Sequence, residues 1–291
     1  MQKKRKLGDR RDGRKLRSID PMTRVAIFIM KDRNDACNYF SDSLDTAVID
    51  KYILKKRKEG LKGFGMLHLF LAAYVRTLTE RPGLNRFISG QTLYARNEII
   101  VSLTIKKAME LNAQETVIKA KFQPGDTVED IYNKINEIVQ ENKKDGDQSS
   151  FDKFARMINY VPRLLLRGFI GFVKFLDYYG LLPSSLTDLS PFHASFFITS
   201  MGSLGIPPIY HHLYNFGNVP VFCSFGAKRP QLMLEKDGST KQHWFIDYKF
   251  VLDERICDGH YYASSLKVFR EIMRNPQQLD APPKEIIDDI D

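Results

Sequence analysis

The order of predicted elements in this chain points to an α+β layer structure, a sandwich of mixed β-sheet and helices and not a simple alternation of parallel units. Three observations carry that expectation. Residues 66–81 repeat their apolar side chains at spacings of three and four. Residues 94–106 and 116–122 alternate and are rich in Ile, Val and Thr. From residue 195 onward strand-like segments dominate again, and a helical pattern at 261–274 closes the chain.

Taken in order, residues 24–30 are apolar in the manner of a strand or a short helix, and 43–55 reads as the beginning of a helix with Asp45 or Asp50 near its start. In 66–81 the positions Leu67, Phe70, Leu71, Tyr74, Val75 and Leu78 place one broad apolar stripe against a core, and Pro82-Gly83 ends the helix. The two alternating segments that follow are strands. Pro124-Gly125-Asp126 then turns the chain into a helix over 128–142, capped by Asp126 or Thr127, with Glu129 and Asp130 in the favourable first turn. Residues 143–150 form a polar hinge. Strands are expected at 196–200, 219–225 and 245–252, separated by Gly and Pro. No repeat with the period of a solenoid or propeller is present.

With 291 residues and 43% hydrophobic content, the chain is long enough for one large core or two small ones, so a folded, soluble domain is expected. Cys37, Cys223 and Cys257 are too few and too scattered for a disulfide framework or a thiolate zinc site, and no secretory signal precedes them. Reduced thiols in a cytoplasmic protein are the expectation. Much of the basic character behind the net charge of +9 is a short arm: residues 1–17 hold nine Lys or Arg and two Asp, residues 280–291 hold five acids and one Lys, and the 262 residues between them carry about +6. The chain therefore divides into a basic arm at 1–20, a single domain at 21–279 and an acidic tail at 280–291. Such an arm is a solvated extension or a contact with an anionic surface or a partner's acidic tail. No aromatic residue interleaves its charges, which argues against a stacking platform for single-stranded nucleic acid.

The most informative stretch is Asp253-Glu254-Arg255-Ile256-Cys257-Asp258-Gly259. It resembles the active-site loop of coenzyme A-dependent acyltransferases, His-x-x-x-Asp-Gly, with Glu254 where that His belongs. Three further segments resemble the catalytic domain of dihydrolipoamide acyltransferases in the same order: Asp50-Lys51-Tyr52 through Lys62 with the helix after it and the Pro82-Gly83-Leu84-Asn85 exit, then Phe196 to Gly205, then Val221 to Gly226. The match spans residues 20–275. It implies a chloramphenicol acetyltransferase-like sandwich and a homotrimer whose active sites lie in channels between subunits. In that family coenzyme A, as acyl-CoA, enters a channel from one end and the acceptor from the other. Only some 20 residues precede the matched domain, so no lipoyl domain is expected.

The resemblance also implies roles. Thr199 matches the hydroxyl that stabilises the tetrahedral oxyanion; one well-aimed donor of that kind is worth about 3 kcal/mol in the transition state. Without the resemblance it reads as an ordinary strand Thr. Asp258 matches the Asp whose carboxylate pairs with an Arg and holds the loop, a support to which Arg255 and Gly259 belong, the Gly allowing a backbone shape that a side chain would hinder. Glu254 occupies the place of the general base. A free carboxylate near pKa ~4 is a weak base for a thiol near ~8.5, and general-base catalysis contributes about 10²–10⁴-fold; burial raises a carboxyl's pKa and offers a partial rescue. His260 directly follows Gly259, and His211-His212 lie in the segment after Thr199, so His260 and His211 are candidate substitute bases; each also reads as a packed or surface histidine. Adjacent histidines on a strand face opposite sides, and no His-x-x-x-His, Glu-x-x-His or paired-Cys spacing supports a metal.

Residues 152–183 depart from the family by being longer and more apolar than its polar helix. In a helical reading Arg156, Arg163, Arg167 and Lys174 fall within about 40° of one another, with Leu and Phe filling much of the rest. No charge-free run approaches the roughly 20 residues of a membrane span. A core or subunit-interface helix is expected ahead of a membrane-surface helix or a flap over a long acyl group, with Pro162, Gly168 and Gly171 opposing helix continuity. Two functions follow: acyl transfer from a thioester donor to an acceptor, or a catalytically silent trimer of the same fold that binds or scaffolds. Nucleic-acid binding through the arm ranks below both.

Overall fold

A computed structural model describes residues 5–106, 115–144 and 160–291. The expected α+β sandwich is what the chain forms. Its centre is a six-stranded sheet in the order β2 (Cys37–Asp45), β9 (Thr240–Asp253), β8 (Val221–Leu234), β7 (Phe196–Ser200), β5 (Ile99–Lys106), β6 (Glu115–Phe122). β7 runs parallel to both of its neighbours, and every other pairing is antiparallel. A second sheet of three strands joins β1 (Gly13–Lys15), β4 (Thr92–Arg96) and β3 (Arg86–Ser89).

Alternation along the strands divides the large sheet into two faces. Phe196, Ile198, Cys223, Phe225, Tyr248 and Phe250 join the main core. Against them lies α3 (Met66–Glu80), whose Tyr74 stacks on Phe196 at 3.7 Å and whose Phe70 stacks on Phe225 at 4.7 Å. The same core takes Ile49, Tyr52 and Ile53 from α2 (Ala47–Lys58), Val128, Ile131 and Ile135 from α4 (Val128–Lys144), and Leu266, Phe269 and Ile272 from α7 (Gly259–Arg274). The opposite face carries Phe197, Phe222 and Val251, covered by Leu213, Val219 and Ala194 in a smaller cluster.

Several expectations need correction. The apolar segment near the start is a helix, α1 (Pro21–Ile29), begun by Asp20, which accepts from Met22 N at 2.8 Å. Residues 43–45, read as the beginning of a helix, close strand β2 on the sheet edge; the helix follows, with Asp45 accepting from Ala47 N at 2.8 Å. β8 and β9 extend past their expected ends into an antiparallel hairpin that includes the exposed Leu232, Leu234 and Trp244. The basic arm is not a solvated extension: β1 pairs with β4, Leu16 is buried, and Lys6 and Arg14 meet Asp291 of the chain's own acidic tail at 3.1 and 2.8 Å. The charges at the two ends thus find each other, and Arg86 clasps Asp289 bidentately.

The expected helix in 152–183 forms as α5 (Arg163–Tyr178), with Pro162 as its N-cap and with Gly168 and Gly171 inside it; a short α6 (Ser184–Leu189) follows. It is not a core helix, since only Val173 and Asp177 are buried. Its last turn ties it to the body. Asp177 lies 3.3 Å from Arg10 and 3.2 Å from His193, and the Tyr178 hydroxyl donates to Gln91 at 2.9 Å. Burial would raise the Asp177 pKa, but the bond to His193 and the charge of Arg10 outweigh it and hold the carboxyl below its ordinary value. Arg156 and the hinge residues 145–150 lie outside the described residues.

Candidate functional site

The loop after β9 is built on a buried ion cluster. Asp253, the last residue of the strand, is clasped by Arg255, whose Nε and Nη2 each donate to the carboxylate at 2.8 Å. Arg33 Nε adds a second cation at 3.4 Å. Burial pushes the Arg33 pKa down, Asp253 opposes that shift, and the neighbouring Arg255 adds to it. Arg255 also donates to the Met30 and Lys31 carbonyls at 3.0 and 3.2 Å, and so fastens the loop to the end of α1. A carboxylate between two guanidinium groups satisfies charges that could not otherwise remain in the interior.

This cluster displaces the role assigned to Asp258. The ion pair with an Arg is made by Asp253; Asp258 is exposed and caps α7 by accepting from Tyr261 N at 2.7 Å. Gly259 is likewise not at a special backbone position, since a Cβ there would meet nothing within 4 Å. The close approach occurs in the turn after β7 instead. A Cβ on Gly202 would fall 2.7 Å from the Gly226 carbonyl oxygen, so the turn after β7 passes the middle of β8 at a distance that only Gly permits. Arg255 does support the loop, through Asp253.

Glu254 is exposed and held through its backbone, its N–H donating to the Ala36 carbonyl at 2.8 Å. The described chain does not bury it. His260 is exposed in the first turn of α7. Thr199 is half-buried near the end of β7, paired in register with Ser224, which in turn pairs with Lys249. β9 runs four residues on from Lys249 to Asp253, roughly 13 Å along the strand direction, and Glu254 follows in the turn beyond it, two strands across from Thr199. A single chain does not bring Thr199 and Glu254 together.

His211 lies between these levels. Its ring stacks on Phe222 at 4.0 Å with the planes within 2°. Its Nδ1 lies 2.9 Å from the His212 carbonyl, which can only accept, so Nδ1 carries the proton and Nε2 presents its lone pair. Burial lowers the His211 pKa from the ordinary value, only partly opposed by that bond, which favours the neutral, base-competent ring. Ser224 brackets the same segment, its Oγ accepting from Ile209 N at 3.0 Å. Lys249, whose ammonium sits 4.3 Å above the Tyr210 ring, completes the row that begins at Thr199. Sequence reasoning missed Arg33, Asp253 and Lys249. Asp253 had a signal in its place directly before the motif position; Arg33 had none, being more than two hundred residues away. A cavity of about 300 Å³ opens between Arg5, Arg10, Arg11 and residues 180–183, away from these groups. Among the described residues no group of three or more His, Cys, Asp and Glu is placed to hold a metal ion.

The mixed sheet with parallel β7 at its centre, flanked by α3 and α7 and ending in this loop, matches known structures. The chain has the dihydrolipoamide acyltransferase fold. A probable dihydrolipoamide acetyltransferase of Listeria monocytogenes 4b is 16% identical, with a TM-score of 0.58 over 90% of this chain and 95% of that one. The truncated catalytic core of the 2-oxoacid dehydrogenase multienzyme complex of Thermoplasma acidophilum is 11% identical, with a TM-score of 0.52 over 90% and 98%. The dihydrolipoamide acetyltransferase of Azotobacter vinelandii is 13% identical, with a TM-score of 0.51 over 90% and 93%. No protein-family model matches the chain, and no curated protein matches it. At these identities the likeness to the acyltransferase fold is one of architecture.

Proposed function

We propose that the protein transfers an acyl group from a thioester of the acyl-coenzyme A type to an acceptor hydroxyl, amine or thiol. The observation that carries this reading is the ion cluster of Asp253, Arg255 and Arg33, which fixes the backbone of the motif position in a chain of acyltransferase fold. Thr199 donates its hydroxyl to the oxyanion, and Glu254 or His211 accepts the proton of the acceptor. The offset of Glu254 from the Thr199 row, beyond the end of β9 and two strands across, supports a site shared by neighbouring copies, as in a homotrimer, with Glu254 of one chain facing Thr199 of the next. Asp258 and Gly259 serve the loop as the N-cap and first residue of α7, and His260 is the weaker substitute for a base because it is exposed and unstacked.

A second reading rests on Glu254 itself: with an exposed carboxylate at the motif position, the protein binds thioesters without turning them over. Thiol release from a panel of acyl-coenzyme A donors separates the two. Turnover that falls at least about 100-fold in Glu254→Gln assigns the base to Glu254, and the same fall in His211→Gln assigns it to His211. Silence in the natural protein, with activity appearing in Glu254→His, establishes a disarmed binding site.

A further inference from the structure

α5 has three different sides. At about 100° per residue, Leu166, Val173, Leu176 and Asp177 form the arc that meets the body. Leu164, Leu165, Phe172 and Phe175 form a second arc about 100° wide, exposed by 81%, 66%, 58% and 53%, with Gly168 at its middle. Arg163, Arg167 and Lys174 form a third arc of about 40° beyond the apolar one, and all three are exposed. The helix's one acid, Asp177, is buried against Arg10 and His193, so no ion pair within the described residues neutralises those cations. Tyr160 precedes the helix, and Tyr178 and Tyr179 close it, all three exposed.

Apolar surface of this size on one helix must be covered by something. The helix is about 24 Å long, too short to cross a hydrocarbon layer of about 30 Å, and no helix among the described residues is long and apolar enough to do so. It is long enough to lie in the plane of an interface, where the Leu and Phe side chains enter the acyl boundary, the Tyr rings sit at headgroup level and the cations meet phosphate. A second copy held through this helix alone fits less well. One helix face of about 24 by 10 Å offers a few hundred Å², against the roughly 800 Å² per partner of a stable interface. An antiparallel symmetric pairing of the two faces would also set cationic edge against cationic edge with no acid between them.

We propose that the apolar face of α5, edged by Arg163, Arg167 and Lys174, docks in-plane on a membrane surface rich in anionic phospholipid. This surface is independent of the acyl-transfer reading, and its test does not use turnover.

The full chain is sedimented with vesicles of phosphatidylcholine alone and with vesicles of equal parts phosphatidylcholine and phosphatidylserine. Three cations near an anionic surface strengthen partitioning to the mixed vesicles on the order of a hundredfold, and added salt weakens it. Phe172→Glu with Phe175→Glu, at exposed positions outside the core, abolishes binding to both vesicles while the circular dichroism spectrum stays unchanged. Arg163→Gln, Arg167→Gln and Lys174→Gln together reduce binding on mixed vesicles to the level on phosphatidylcholine. Equal binding to the two vesicle types, or no binding at low salt, overturns the proposal. Binding that survives the Phe172/Phe175 change also overturns it and assigns the contact to basic residues elsewhere. A drop in oligomer mass on that change, read by light scattering without any vesicle binding, overturns it in favour of a second copy.

Discussion

α3 and α5 are nearly equal in length, at 15 and 16 residues, and each holds four Leu, yet they live in opposite surroundings. α3 buries the eleven consecutive residues from Leu69 to Thr79, because the sheet lies on one side and α4 and α7 on the others. α5 buries two residues and meets the body mainly through its last turn. An apolar helix states that it must be covered; it does not state by what. The information that separates these two lies in the charges. Arg76 in α3 donates its guanidinium to the Gln278 and Ala281 carbonyls, whereas Arg163, Arg167 and Lys174 in α5 make no ion pair among the described residues.

The contrast can be broken most directly in the core. Phe70→Ala removes a ring packed among Phe225, Tyr248 and Phe269 and is expected to cost about 4 kcal/mol in urea unfolding. Phe172→Ala on α5 is expected to cost under about 0.5 kcal/mol; a core-sized cost there would show that α5 is covered in solution. Next in size is Asp177→Ala. It removes the carboxylate beside the buried His193 and one of the two carboxylates on Arg10, which keeps Asp12, and is expected to cost about 3 kcal/mol, with faster amide exchange along α5. Unchanged exchange in α5 would place its tether elsewhere.

The third test uses pH. His68 in α3 is held neutral, its pKa lowered to about 4 by burial and by Arg57, while its Nδ1 accepts from Gly65 N. Between pH ~6.5 and ~4 the unfolded chain binds a proton that the folded chain refuses, so stability falls as pH drops through that window, by up to about 3 kcal/mol. His68→Asn keeps the acceptor for Gly65 and should flatten that part of the profile. Asp177 acts lower on the scale. Its carboxyl is held below the ordinary value, so its contribution is full above pH ~4 and is lost only as pH falls below that.

Much of this fold was legible in the residues. The three-four repeat gave α3 to within one residue, β7 matched at both ends, and the ordered motifs gave the architecture. The misses have physical causes. The tip of the β8–β9 hairpin is solvated on both faces, so Lys228 to Leu234 lacks the apolar alternation that marks a half-buried strand. Edge strand β2 carries Ser41-Asp42-Ser43, a polar run that resembles a helix start. Within the motif, two aspartates lie five positions apart, and spacing alone could not tell which one clasps Arg255; the end of β9 buries Asp253, whereas the start of α7 turns Asp258 outward as a cap.

Trp244, the chain's single tryptophan, stands on the hairpin opposite Pro230, about half exposed, with its carbonyl accepting from Thr46 N at 2.8 Å. Intrinsic fluorescence of this protein therefore reports on the projecting ribbon and the start of α2, and is nearly blind to the packed rings around Phe70. In one denaturant titration, an emission change that precedes the loss of helical ellipticity marks fraying of the ribbon from the sheet, and coincident curves mark a molecule that melts as one cooperative unit.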